Sequence, residues 1–202
     1  MHRLLRMAVT LVLLAAPVAL YAQEDGETAT AIFAGGCFWC MEPPYDKLDG
    51  VRDTTSGFIG GDRENISYQD VASGNTDYVE AVKVTYDPEQ VSYDRLLDIF
   101  WHNIDPLDDG GQFCDRGYQY TTGIFATTDA QRSAARASRR ELAESGRFDK
   151  PVVTRVEQAN GFVAAKEYHQ NYYQKRPVRY KFYRASCGRD GRLGELWGEK
   201  AG

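Results

Sequence analysis

Six consecutive residues, Gly35-Gly36-Cys37-Phe38-Trp39-Cys40, bring two thiols, two large aromatic rings and two glycines into one short stretch. They follow an apolar run, Ala31-Ile32-Phe33-Ala34, so the pattern reads as a strand, a tight glycine turn and a cysteine where a helix begins. Glycine permits turn conformations and close backbone approaches that side chains resist. A thiol at a helix N-terminus faces unpaired N–H groups and the positive end of the helix dipole, and both favour the thiolate. In this reading Phe38 and Trp39 line an apolar pocket beside the thiol. The alternative use of a bare C-x-x-C is a turn leading into buried aromatics and a structural disulfide. The density of reactive and aromatic residues here favours a reactive site.

A nucleophilic thiol needs a proton source to complete its chemistry. Glu80 shares a strand face with Val82, Val84 and Tyr86, the more apolar of the two faces. Burial there raises a carboxyl pKa and keeps the group protonated near neutrality, ready to donate; an exposed strand end would leave it solvated instead. Tyr68 and Tyr120 are candidate phenol donors among thirteen tyrosines, and Asp115, beside Cys114, either orients a backbone or amide group or solvates a loop. His102 and His169 fall in expected helices without a second ligand nearby, so they read as structural and no metal site is expected. No histidine stands as an obvious base for Cys37, which argues against a cysteine protease.

The elements that must position these groups are readable from periodicity and punctuation. A strand near residues 30–34 leads into the Cys37 helix, which runs to about Leu48. Pro43 and Pro44 imply that this helix starts late or bends. Val51–Ile59 reads as a strand, residues 62–76 as a loop holding Tyr68, and Val79–Tyr86 as a strand stopped by Asp87-Pro88. Ser92 caps a helix with apolar Leu96, Leu97, Ile99, Phe100 and Ile104. An Asp- and Gly-rich loop over 105–117 carries Cys114, followed by a strand over 120–127 and a helix over 129–145. A strand over 151–157 and a short helix over 164–175 follow, and residues 177–202 show no clear period. The expected fold class is α/β (α+β): a single-domain, two-layer sandwich of mixed sheet and helices, with an irregular C-terminal tail wrapped on it.

Residues 1–22 stand apart from this domain. Arg3 and Arg6 precede an apolar stretch from Val9 to Leu20, and small Ala22 precedes polar Gln23-Glu24-Asp25-Gly26. This is the pattern of a secretory signal peptide, with an uncleaved anchor as the alternative. Residues 23–29 read as a flexible lead-in and 30–202 as the catalytic domain. Export, to a periplasm or the medium, is therefore expected. Without residues 1–22 the chain has 22 basic and 29 acidic residues, net −7, which argues against nucleic acid or an anionic membrane as partner. The four cysteines, Cys37, Cys40, Cys114 and Cys187, allow two bridges in three connectivities. A zinc site normally needs two close pairs, and Cys114 and Cys187 lie 73 positions apart.

With these residues in view, the chain resembles the peptide methionine sulfoxide reductase A family. The likeness begins at Gly35-Gly36-Cys37-Phe38-Trp39-Cys40 and continues through Ser56-Gly57-Phe58-Ile59-Gly60-Gly61, Ser67-Tyr68 and Glu80-Ala81-Val82. It extends through Tyr86-Asp87-Pro88, Phe100-Trp101, Asp105-Pro106 and Asp115-Arg116-Gly117-Tyr118-Gln119-Tyr120, covering most of residues 30–198. The resemblance implies Cys37 as nucleophile, Phe38 and Trp39 as the methyl pocket, and Glu80 as the acid. It implies Tyr68 and Tyr120 as hydroxyl donors, and Asp115 as an acid that helps position the site. Phe58 stands where the family often has Tyr, and Cys40 where many members have Gly. The resolving thiol is thus left among Cys187, Cys40 and Cys114. Proximity favours Cys40 for a first disulfide, while family members with Gly at that position favour Cys187 as the final relay.

The implied activity is thiol-dependent reduction of methionine S-sulfoxide, free or in exported proteins, through a sulfenic acid and a disulfide. It needs no bound cofactor, only an external reductant such as thioredoxin or dithiothreitol. The expected partners are oxidised proteins or peptides and a thioredoxin-like reductant, with the chain a monomer. A thioredoxin-like dithiol oxidoreductase using Cys37 and Cys40 is the alternative enzyme. A binding module stapled by two disulfides is the alternative outside enzymes.

Overall fold

The computed structural model describes residues 27–63 and 65–198; residues 1–22, read above as a signal peptide, lie outside them. Strand β1 (Ala29–Gly35) is central, because its alternate residues are apolar on both faces. Ala31 and Phe33 face the main core, while Ile32 and Ala34 face a smaller cluster on the other side. The glycine turn then starts α1 (Phe38–Asp46), and β2 (Val51–Ile59) returns along the sheet. A short α2 (Tyr68–Ala72) precedes β3 (Val79–Tyr86), which pairs antiparallel with both β1 and β2. Next come α3 (Tyr93–His102), a small hairpin of β4 (Gly111–Gln112) and β5 (Asp115–Arg116), and β6 (Thr122–Ala126). Helix α4 (Asp129–Glu144) crosses to β7 (Arg155–Gln158), which lies parallel to β6. Strand β8 (Val163–Ala164) closes a six-stranded mixed sheet of order β7-β6-β1-β3-β2-β8. Three C-terminal helices follow: α5 (Tyr172–Lys175), α6 (Pro177–Ser186) and α7 (Arg189–Trp197).

The main core joins one sheet face to Met41 and Tyr45 of α1, Leu96, Leu97 and Phe100 of α3, and Leu193, Leu196 and Trp197 of α7. This is the expected two-layer α+β sandwich. None of the described helices is long and apolar enough to cross a membrane.

Five local expectations are corrected by the structure. Helix α1 does not start late: it begins at Phe38 and runs through Pro43 and Pro44. Its start is fixed from outside, because the Phe38 N–H donates to a carboxylate oxygen of Glu80 on β3. The stretch 62–76 is not all loop. Ser67 and Asp70 form a capping box, side chain of each to backbone N–H of the other, and start α2 at Tyr68.

The helix expected over 164–175 is broken into β8, a 3₁₀ turn at Glu167–His169 and the one-turn α5. The Gln170 side chain bonds the N–H and C=O of Ser56 and the C=O of Ala165, so sheet-edge bonding replaces helix there. Asn171, at φ 52°, then turns the chain.

The C-terminal segment is not irregular. Helix α6 buries no residue, so it carries no apolar stripe to read. Helix α7 buries Arg189, Leu193, Leu196 and Trp197 at helical spacing, with a cation where an apolar residue is usual. The strand bounds near 120 and 151 also move inward, to β6 and β7.

Candidate active site

The turn between β1 and α1 is built for close approach. A side chain at Gly35 would meet Met41 Sδ at 2.6 Å and Ile104 Cγ2 at 2.9 Å. Gly36 takes φ 81° and lies against Gln112, whose Cβ would be 2.6 Å from an added methyl. This turn sets Cys37 as the N-cap residue of α1, with the Cys40 N–H donating to its carbonyl at 3.0 Å. Both thiols are free and buried, at 6% and 2% exposure.

Glu80 sits opposite Phe58 in the β2–β3 pairing and is 2% exposed. Its position near the strand end therefore does not solvate it. Its Oε2 accepts from Phe38 N–H at 3.1 Å, one residue from the Cys37 thiol. Burial pushes its pKa up to about 8, even against that hydrogen bond, so it is protonated at neutrality. The thiolate expected at Cys37 is not the resting state. Burial comes first, then the hydrogen bond to Cys40 and the charge of Glu80, and all raise its pKa well above the ordinary thiol value. The N–H at the head of α1 that would have stabilised the thiolate is already taken by Glu80. Cys40 goes the other way, to about 6, because the Cys37 thiol hydrogen-bonds to it and Arg189 and Arg184 supply positive charge. The pair thus holds one proton readily and releases the first one easily.

Around this pair the rings form a pocket. Phe38 is the floor, packed against Phe58 (5.9 Å between centroids), Tyr68 (6.4 Å) and His169 (5.1 Å). Trp39 is the half-open wall, stacked on Tyr172 at 3.8 Å and fixed by its Nε1–H, which donates to His169 Nδ1 at 3.2 Å. Burial lowers the His169 pKa to about 4, so it stays a neutral acceptor, a structural role as expected. Burial and the nearby Glu80 charge push Tyr68 up to about 12 and raise Tyr120 further, keeping both phenols as donors. Asp115 is raised by burial and accepts from the Tyr183 hydroxyl.

The structure therefore brings Cys37, Cys40, Glu80, Tyr68, Tyr120 and Asp115 together with Phe38 and Trp39. It bonds Cys114 to Cys187, and Cys187 Sγ lies 3.9 Å from Asp115 Oδ2. One disulfide and two free thiols do not match a module stapled twice. Among the described residues the only cluster of metal-ligating types is Cys114, Asp115 and Cys187, and its two sulfurs are spent in that bond.

Sequence reasoning missed two site groups. Tyr183 lies on α6, edge-on to Trp39 at 6.0 Å, and its hydroxyl sits against Cys37 and Asp115. Arg189, 1% exposed, reaches under the glycine turn and donates to Gly35 O (2.7 Å) and Asn103 O (3.0 Å). Its position in the helical repeat of α7, spaced with Leu193, Leu196 and Trp197, was the available signal.

A buried, free dithiol facing a neutral carboxyl and phenols, inside an aromatic pocket on an α+β sandwich, defines a thiol-dependent oxidoreductase. The family model for peptide methionine sulfoxide reductase matches residues 29–201. Peptide methionine sulfoxide reductase MsrA of Bacillus licheniformis is 48% identical over 177 residues, covering 88% of this chain and 97% of its own. Among solved structures, reduced Mxr1 from Saccharomyces cerevisiae aligns with TM-score 0.70 at 31% identity, covering 74% of this chain and 86% of its own. Methionine sulfoxide reductase A of Corynebacterium diphtheriae aligns at 0.65 and 29%, covering 75% and 76%. Mxr1 has also been solved in complex with Trx2, a likeness of fold at TM-score 0.51 and 23% identity over 72% of this chain and 84% of its own. The chain belongs to the peptide methionine sulfoxide reductase A family, oxidoreductases that return methionine (S)-S-oxide to methionine by cysteine and disulfide chemistry.

Proposed function

We propose that this chain repairs methionine sulfoxide in exported proteins, with Cys37 as nucleophile and Glu80 as acid. The observation that carries the assignment is the Phe38 N–H to Glu80 bond, which holds a neutral carboxyl beside the thiol. The substrate methyl group sits against Phe38 and Trp39, and the sulfoxide oxygen meets Glu80, Tyr68 and Tyr120. Cys40 takes the Cys37 proton through their hydrogen bond. The Cys37 thiolate attacks the sulfoxide sulfur while Glu80 gives its proton to the oxygen. Methionine leaves, Cys37 becomes a sulfenic acid and Glu80 a carboxylate. The Cys40 thiol then displaces water from the sulfenic acid to form a Cys37–Cys40 disulfide. Cys187, reduced together with Cys114, attacks Cys40 and Cys114 completes the exchange, which returns Cys37 and Cys40 to thiols.

The Cys114–Cys187 bond is the product of that exchange, and Cys114 is on the surface where a reductant can reach it. A thioredoxin-like reductant is the partner, a reading supported by the Mxr1–Trx2 complex. Export is supported by residues 1–22. The chain works as a monomer. The deciding experiment is an assay with separated sulfoxide epimers on the wild type and Cys37→Ser. The S epimer is consumed by the wild type alone; turnover by Cys37→Ser would remove the assignment.

A further inference from the structure

Beyond the methyl pocket, the far side of the Trp39–Tyr172 stack opens into a groove of about 840 Å³ between α5 and α6. Its apolar lining is displayed to solvent to an unusual degree: Tyr168 is 53% exposed, Phe182 76% and Val178 82%. Large apolar side chains clustered on a surface mark an interaction site rather than a random exposure. Arg176 and Arg179 also line the groove, and neither joins an ion pair among the described residues. Two such cations beside an apolar strip offer a carboxylate a place to bind.

The groove and the methyl pocket share a wall. Tyr172 stacks on Trp39 and also lines the groove, while Tyr168 packs on His169 at 4.1 Å, the ring that holds Trp39. A chain whose sulfoxide side chain enters beside Cys37 therefore continues across Tyr172 onto Phe182 and Val178. Methionine is an apolar residue that native proteins bury, so its sequence neighbours in a core segment are apolar too. Its oxidation places a polar group there and opens the core. The segment then presented for repair is extended and locally unfolded, with apolar side chains next to the sulfoxide.

Resting on the reductase reading above, we propose that this groove is a substrate subsite. It takes the segment flanking methionine sulfoxide in an unfolded protein, and prefers apolar residues accompanied by Asp or Glu. The apolar strip holds the flanking side chains, and Arg176 and Arg179 hold the carboxylate.

The test uses the full chain with dithiothreitol as reductant, which takes thioredoxin out of the measurement. Wild type, Phe182→Ser, Val178→Ser and Arg179→Glu are assayed on three substrates. These are a peptide with Leu and Asp beside the sulfoxide, one with Gly and Lys there, and N-acetyl-methionine sulfoxide amide. Loss of one anchoring side chain raises KM for the Leu/Asp peptide about tenfold with kcat held, and leaves the small amide unchanged. The wild type prefers the Leu/Asp peptide over the Gly/Lys one, and Arg179→Glu narrows that preference. An unchanged KM for the Leu/Asp peptide, or an equal loss on the small amide, overturns the subsite. So does a rise confined to KM for thioredoxin in a parallel thioredoxin-driven assay of the same variants, which would make the groove the reductant's dock. Dimers in sedimentation that Phe182→Ser disperses would make it a self-association face and overturn it too. Absence of wild-type turnover on the small amide would instead strike the reductase reading itself, so the two failures are separable.

Discussion

The two cysteine pairs share Asp115 as a neighbour and differ in almost every other physical respect. Cys37 and Cys40 lie three positions apart at the head of one helix, unbonded, buried and surrounded by rings. Cys114 and Cys187 lie 73 positions apart on a surface turn and a helix end, bonded, with Cys114 exposed. The inner pair has what sulfoxide chemistry needs: little water and an acid kept neutral by burial. That same burial shuts out a protein-sized reductant. The outer pair is reachable, with Cys114 at the surface, and it lies outside the ring cluster that holds Glu80. Dry chemistry and access to electrons make opposite demands on one thiol pair, and the fold meets them with two.

The largest effect that separates the pairs is at Cys37. Cys37→Ser is expected to abolish methionine formation even with excess dithiothreitol, while Cys114→Ser and Cys187→Ser keep dithiothreitol-driven turnover. Residual turnover in Cys37→Ser would erase the distinction between inner and outer pairs.

Glu80→Gln tests what makes the inner pair reactive. The chemical step is expected to slow by roughly 10²–10⁴-fold in single-turnover kinetics. The pH profile carries the sign. Glu80 is protonated below about 8 and Cys40 is free to take the Cys37 proton above about 6, so the wild-type rate is highest between these values and its alkaline limb falls as pH rises through about 8. The Gln variant lacks this limb. Stability follows the same proton: between the ordinary carboxylate range and about 8 the folded state keeps it and the unfolded state does not. Wild-type stability therefore falls with rising pH across that window, and the Gln variant falls less.

Removing the outer pair, with Cys114→Ser and Cys187→Ser together, deletes a covalent loop. By the loop-entropy relation a span of 73 residues is worth about 4 kcal/mol, read as a lower urea midpoint. Thioredoxin-driven turnover is expected to fall in the same variant. If it holds while peptide mapping shows a Cys37–Cys40 link, Cys187 has no part in the relay.

The smallest change sharpens the difference in acidity. Arg189→Met removes two charged hydrogen bonds to carbonyls and is expected to cost about 2–3 kcal/mol. It also raises the Cys40 titration, followed by thiolate absorbance, because Arg189 is one of the charges that lower it. An unshifted titration would leave the Cys37 hydrogen bond and Arg184 as the causes.

The sequence displayed the central strands and the reactive turn clearly, because those elements follow local rules. Alternation marked β3, a serine cap and apolar period marked α3, and the glycine-cysteine-aromatic cluster marked the site. What it hid was set by distant partners. The start of α1 depends on Glu80, 42 positions on, and no local cap announces it. The break near 170 depends on Gln170 bonding Ser56, 114 positions away. Tyr183 and Arg189 escaped for related reasons: one lies on a helix with no buried face, the other is a cation in an apolar position. The burial of Glu80 was readable from its strand face, whereas the protonated resting state of Cys37 was not, since it arises from the acid that occupies the helix head.

The bond from Arg189 to the carbonyl of Gly35 spans 154 positions, and it gives the site a history. A polypeptide is made from its N-terminus, so Cys37 and Cys40 exist long before the last turn of chain that completes their surroundings. During that interval the thiols lack the cation beneath the turn and the Tyr183 hydroxyl, and they share the growing chain with an unpaired Cys114. Tyr183 and Arg184 precede Cys187 and Arg189 follows it, so the groups that surround the inner pair arrive together with the outer bridge's second sulfur. The order of residues along the chain thus leaves the reactive thiols without their full surroundings until one late segment has been made.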